Sequence, residues 1–439
     1  MTQPPGELRR ELGIPAAVIT GLGSILGTGV FVSIGIAAGV AGESVVIAIV
    51  VAALVAICNG LSSAQLAANH PVSGGTYEYG YRWLNPSLGF LAGWMFLWAK
   101  SASAATAALG FSGYLLPLVI GDSRFFLIPL ALLGLIVLTV IVLGGIRRTS
   151  QINALIVGMT IFVLLAFVYL GNYSSSSSHS LDFNEFWPAN HSFAAFAQAV
   201  GLMFVAYTGY GRIATLGEEV TAPRRTIPIA VIVTLGISML LYFLVAITAL
   251  RNVDTETFSQ YSSQGAAPLE MVARQFDLPG SAALMTLGAV TAMLGVLLNL
   301  LLGLSRIVLA MGRRGDMPRG LSLVTPTSGV PWTATIAVAV LIGAIICVGS
   351  VKLAWSFSAF TVLIYYAITN LCALQLKADE RLYPRIIPVL GLVSCLALSF
   401  WVEREMWFVG IGLLGAGLVW HQVARQLTRR NTAGHDSAK

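Results

Sequence analysis

Two long apolar stretches of this chain are interrupted by glycine-centred turns. The first is Gly23-Ser24-Ile25-Leu26-Gly27-Thr28-Gly29-Val30-Phe31, and the second is Ala206-Tyr207-Thr208-Gly209-Tyr210-Gly211-Arg212. A helix in hydrocarbon keeps its backbone groups bonded to one another, because the surroundings offer no other partner. Glycines clustered in mid-run therefore predict places where a helix unwinds and frees N–H and C=O groups to hold a ligand. Thr28-Gly29 and Thr208-Gly209 each fall near the start of one half of the chain. Paired interruptions in corresponding positions point to a secondary transporter built from inverted repeats. The competing reading is that these glycines only let helices pack closely, but packing glycines need no counterpart in the other half.

Four charged residues stand out against this background. Lys100 lies about 12 residues into the third apolar run, roughly 18 Å of helical rise and too deep to reach water easily. It is expected to face the protein interior, either in the ligand site, as a coupling group, or solvated in a polar seam. Arg212 follows the second break and stays ionised. It either favours an anionic group in the site or locks the broken helix through carbonyl ends. Glu218 and Glu219 precede Pro223, Arg224, Arg225 and Pro228. This carboxylate pair beside two arginines reads either as a gate that opens as charges exchange partners or as an ordinary interfacial charge cluster.

The elements that would position these residues follow from composition. The 439 residues are 56% hydrophobic and only 10% charged, with a mean hydropathy of +0.82. A soluble domain carries about 25% charged residues. Apolar runs of roughly 20 residues recur along the chain and predict about twelve spans: 14–40, 44–69, 87–118, 125–145, 150–171, 192–217, 226–250, 280–311, 331–350, 353–375, 383–401 and 405–427. The first is too long for a cleaved leader and should remain as span 1. Cys58, Cys347, Cys372 and Cys395 all fall within these runs and read as packed thiols, neither a disulfide framework nor metal ligands.

The net charge of +6 is a topology signal. With an even number of spans, Arg9, Arg10, Arg147, Arg148, Arg224, Arg225, Arg313, Arg314, Arg319, Arg425, Arg429 and Arg430 share one side. The positive-inside rule makes that side cytoplasmic, together with both termini. The chain then divides into a cytoplasmic segment 1–13, a first repeat 14–171, an extracellular serine-rich loop 172–191, a second repeat 192–375, peripheral spans 376–427 and a cytoplasmic tail 428–439. Each repeat has five spans, and the odd number inverts the second relative to the first. In the outer segment 251–279, Pro268 to Arg274 reads as a short amphipathic helix. Beyond Gln426 the polar tail is expected to lack fixed structure.

Four segments in order resemble the amino acid–polyamine–organocation (APC) superfamily of permeases. They are Gly23 to Phe31; Pro71-Val72-Ser73-Gly74-Gly75-Thr76-Tyr77-Glu78-Tyr79 with Gly89-Phe90-Leu91-Ala92-Gly93-Trp94; Gly217 to Pro228; and Ser305 to Pro318. The resemblance covers spans 1 to 10. It implies an all-α polytopic membrane protein of about twelve transmembrane helices, a five-plus-five inverted repeat (LeuT-like) with discontinuous helices 1 and 6. It also implies alternating-access transport of amino acids or related amines across a plasma (inner) membrane. On that basis Gly27, Thr28 and Gly29 would donate to a substrate carboxylate. Carbonyls near Ile25 and along 205–209, including Thr208 and Gly209, would accept from its ammonium. The resemblance of the Gly217 to Pro228 segment also favours a gate there, with Glu218 as the gate residue. By their position beside the breaks, the neighbouring aromatics Phe31, Phe204, Tyr207 and Tyr210 would occlude the substrate. Some members carry a lysine in helix 5 in place of a coupling sodium ion; aligned on Asn153, this chain has Thr160 or an apolar neighbour there.

The expected function is a permease for neutral or acidic amino acids, coupled to a proton or working by exchange. The partners are thus the small-molecule substrate, the lipid bilayer and a coupling proton, with no nucleic acid and no cofactor. A sodium-coupled carrier of an amine or nucleobase on the same fold is the alternative, with Thr286, Thr291 and Asn299 as candidate cation ligands. A membrane-embedded enzyme or a receptor is disfavoured, because His70, His179, His191, His421 and His435 lie at ends, loops or the tail and build no catalytic or metal constellation.

Overall fold

The computed structural model describes residues 12–72, 74–119, 124–145, 149–173, 192–215, 220–264, 267–276, 278–325 and 329–436. The first half comprises α1 (Ile14–Ile25), a π-helical turn (Gly29–Ser33), α2 (Ile34–Ala41), α3 (Val45–Asn69), α4 (Thr76–Trp83), α5 (Pro86–Val119), α6 (Leu127–Leu143) and α7 (Thr149–Tyr173). The second half opens with α8 (Phe193–Tyr207), a 3-10 turn (Thr208–Tyr210), α9 (Gly211–Thr215) and α10 (Pro223–Asn252). It continues through α11 (Thr255–Gln264), α12 (Pro268–Ala273), α13 (Ser281–Arg314), α14 (Trp332–Ile346) and α15 (Val351–Leu374), and the chain ends with α16 (Ile386–Ser399) and α17 (Arg404–Asp436). Among the described residues, eight stretches are long and apolar enough to cross a membrane, and α6, α14 and α16 are shorter apolar helices.

The packing explains the composition. α5 lies at the centre, against α13 and α15, and its run from Lys100 to Gly110 is buried throughout. Most of that run is alanine, serine, threonine or glycine, which lets neighbouring backbones approach where hydrocarbon supplies no hydrophobic drive between helices. On α2, the missing side chains of Gly35 and Gly39 make room for Ser262 and Ser259 of α11. Large apolar side chains point outward, including Leu133, Val140, Leu155, Phe162, Val340 and Phe408. That pattern suits a surface bathed in lipid.

Two faces of the bundle can be recognised from their contacts. On the arginine-rich face, Leu12 pairs with Val220, the Arg224 guanidinium donates to Asn69 Oδ1 at 3.5 Å, and Arg314 meets Glu78 at 2.5 Å. On the opposite face Arg251 donates to Asn172 at 2.9 Å and Lys352 pairs with Glu403 at 3.4 Å.

Several local expectations change. The segment after span 2 contains α4, which the motif reading left without a helix. The segment 251–279 holds two helices, and α12 is largely buried rather than lying on a surface, with Leu269, Glu270 and Val272 all enclosed. α13 runs on to Arg314, three residues past the expected end of that span at 311. α17 continues to Asp436, where a tail without fixed structure was expected; propagating an existing helix through residues such as Arg425, Gln426 and Leu427 costs little.

Candidate functional site

The two breaks differ in form. α1 ends at Ile25, and Leu26 is extended, with ψ at 96°. The chain resumes helical winding when the Val30 and Phe31 amides both return to Gly27 O, each at 3.1 Å. The amides of Gly27, Thr28 and Gly29 therefore stand at the first turn of a resumed helix, where donors lack intrahelical acceptors. The second break is tighter: Thr208–Tyr210 forms one 3-10 turn between α8 and α9. Its Thr208 hydroxyl donates back to Val205 O at 2.7 Å.

The breaks cross in contact. A Cβ on Gly209 would lie 2.3 Å from Ser24 O, so only glycine permits this approach. Tyr242 of α10 ties the pair together: its hydroxyl lies 2.9 Å from Ile25 O and 3.2 Å from Ala206 O. Tyr366 of α15 donates to Thr208 O at 3.3 Å.

A cavity of about 130 Å³ opens beside this crossing. Ser24, Ile25, Thr28 and Gly29 line it from the first break, and Thr208, Gly209 and Arg212 from the second. Lys100 and Ser103 of α5, Asn299 and Arg306 of α13, and Trp355 of α15 complete the wall. Gly74, Thr215 and Ile307 also line it, so the cavity runs from the breaks toward the arginine-rich face. On the other side, Phe31 packs edge-on against Tyr114 at 5.9 Å. The Tyr114 hydroxyl donates to Phe31 O at 2.7 Å and accepts from the Leu269 amide of α12 at 3.2 Å. Aromatic packing thus seals the side away from the arginines.

Lys100 is 6% exposed. Its ammonium donates to Thr208 Oγ1 at 2.7 Å and approaches Thr208 O at 3.4 Å, with the Phe96 ring 5.9 Å away. The helix periodicity of α5 places it there: Phe96, Lys100 and Ser103 are spaced at four and three residues and share one face. Across the cavity, Thr28 Oγ1 is buried without a hydrogen-bond partner.

The other proposed site residues are placed as follows. Gly27 lies at the break but faces Val296. Phe204 stacks edge-on with Tyr366 at 5.6 Å. The Tyr207 hydroxyl turns away to Ile49 O at 3.2 Å. Tyr210 packs against Tyr366 at 5.3 Å. Glu218 and Glu219 lie outside the described residues. On α7, Thr160 bonds its own helix at Ile156 O, 2.8 Å away. Asn153 instead reaches Ile19 O at 3.2 Å and accepts from Asn299 at 3.3 Å. Thr286 and Thr291 also bond carbonyls of their own helix, leaving Asn299 as the α13 residue of that trio on the cavity.

Tyr242, Ser103, Arg306 and Trp355 were not singled out by the sequence as site residues. Arg306 carried the one usable signal, a cation four residues after Leu302 in a run that continues helical periodicity.

These features define a polytopic helical membrane protein with a solute-sized cavity between two broken helices. The amino acid permease family profile matches residues 16–420, and the chain belongs to that family, which is made up of transporters. An uncharacterized transporter of Mycobacterium tuberculosis is 38% identical, over 99% of this chain and 98% of its own. A branched-chain amino acid permease of Bacillus subtilis is 26% identical over 93% and 92% of the two chains. A vacuolar cationic amino acid transporter of Arabidopsis thaliana is 25% identical over 78% of this chain and 59% of its own.

Proposed function

We propose that the protein carries amino acids of neutral or acidic side chain across the cytoplasmic membrane by alternating access, using five-plus-five inverted repeats and driven by protons or by exchange. The observation that carries this reading is the cavity bounded by both helix breaks, with free-standing donors at Thr28 and Gly29 and carbonyls at Ile25 and Thr208. That set matches the two ends of a zwitterion. With the arginine-rich face cytoplasmic, the cavity leads inward and the Phe31–Tyr114 seal closes the outside. Glu218, three residues beyond α9 in the sequence, is proposed as a gate.

Charge sets the preference among side chains. A substrate ammonium held at Thr208 O would come close to the Lys100 ammonium. Two unit charges about 4 Å apart repel by roughly 4 kcal/mol at an effective dielectric of 20. A substrate with a further positive charge adds to this cost, so arginine, lysine and polyamines should be poor substrates, unlike those of the plant relative.

Purified protein in proteoliposomes, offered a panel of labelled amino acids, tests this directly. Accumulation should respond to an imposed pH gradient or to internal amino acid, and not to a sodium gradient. A strict sodium requirement would favour the amine or nucleobase carrier, and strong arginine uptake would contradict the charge argument.

A further inference from the structure

We propose that the cavity selects amino acids whose side chain bears a carboxylate, with Lys100 as its counter-ion. This rests on the permease reading and narrows its substrate class to acidic amino acids.

Lys100 bonds only to uncharged oxygens of Thr208, and no carboxylate among the described residues pairs with it. A buried ammonium normally requires an ionised partner. Here the ammonium forms part of a cavity wall, so a substrate can supply the missing charge. No aspartate or glutamate occurs among the described residues lining that cavity, whereas Arg306 lines it and is exposed. A cleft lined by one sign of charge raises the local concentration of the opposite sign.

The acceptors point the same way. The single Tyr242 hydroxyl proton is shared between Ile25 O and Ala206 O, and Thr208 O receives Tyr366 and Lys100. Few lone pairs on these carbonyls remain beyond those the substrate's own α-ammonium would use, while Lys100 and the unpartnered Thr28 hydroxyl offer donors. The site is rich in donors and short of free acceptors, which fits two carboxylates and one ammonium better than the reverse.

The test compares glutamate with glutamine and aspartate with asparagine, pairs of nearly equal shape that differ in charge. Uptake is measured with the full chain in proteoliposomes. The unmodified protein should favour the acid over the amide by about tenfold or more in kcat/KM. Lys100→Gln should bring that ratio near one while amide uptake persists. If Lys100→Gln does not fold, Arg306→Gln in the unmodified background should lower the glutamate-to-glutamine uptake ratio at low salt and leave that ratio unaltered at high salt, and a ratio unaltered at low salt overturns the proposal. Uptake of amides or leucine in preference to the acids overturns this proposal and leaves the permease reading standing. An acid preference that survives Lys100→Gln removes Lys100 as counter-ion. No uptake of any amino acid would sink the permease reading itself, and the proposal with it.

Discussion

A Cβ on Gly29 would stand 2.5 Å from the Tyr242 hydroxyl and 2.9 Å from the Ala206 side chain. Gly29 thus serves two ends at once: it lines the cavity and lets the two broken helices meet through Tyr242. Gly29→Leu should abolish substrate binding, because its side chain would have to fill the cavity or push Tyr242 aside. Gly29→Ala should be milder and destabilise by about 1–3 kcal/mol, the usual range for overpacking. Adding Tyr242→Phe should recover part of that loss by removing the nearest atom. Thermal melts and substrate-induced shifts in detergent measure both effects. Undiminished binding in a folded Gly29→Leu variant would place the substrate elsewhere.

At the scale of elements, α4, α13 and α17 are joined on the arginine-rich face by a buried carboxylate. Asp316, just beyond α13, accepts from the Tyr77 and Tyr81 hydroxyls of α4, each at 2.6 Å. Its backbone carbonyl accepts from Trp420 of α17 at 2.9 Å. The Arg314 guanidinium lies 4.0 Å over the Tyr81 ring. Burial, and then the hydrogen bond to Asp316, hold both tyrosine hydroxyls above their ordinary pKa. Their neutral, donating form therefore stabilises the fold fully below the ordinary tyrosine value of about 10, and that contribution is lost only as pH rises beyond it. Melting temperature should accordingly show no loss from these two tyrosines between about pH 7 and 9, then a fall in alkali that is smaller in Tyr77→Phe. Asp316→Asn should cost about 1–2 kcal/mol, since hydrogen bonds to a charged acceptor are the stronger kind. A neutral effect of Asp316→Asn on the melt would show that the clasp contributes nothing to stability.

For the whole molecule, the proposed inverted arrangement makes a simple prediction about sidedness. In a background with Cys347, the exposed native thiol, replaced by serine, single cysteines at Glu256 and Arg313 should label from opposite sides of the membrane. Glu256 should react from outside, and Arg313 only after permeabilisation. Both positions are exposed ends of helices, so neither substitution disturbs packing. Labelling of both from one side would rule out the proposed topology.

The apolar runs, the glycine pairs and the arginine asymmetry were all legible in the sequence, because hydrocarbon imposes length, internal bonding and charge rules on each segment separately. Thr28, Gly29, Thr208 and Lys100 could be named for the same reason: each breaks a rule that its own span would otherwise obey. Their mutual arrangement could not be read in this way. That Lys100 reaches Thr208, that Tyr242 bridges the two breaks and that Tyr207 turns toward Ile49 depend on how helices far apart in sequence rotate against one another. An interior tyrosine in an apolar run carries no mark of the carbonyl it will find. Local chemistry therefore determined which residues were unusual, and only tertiary packing decided which of them face the same cavity.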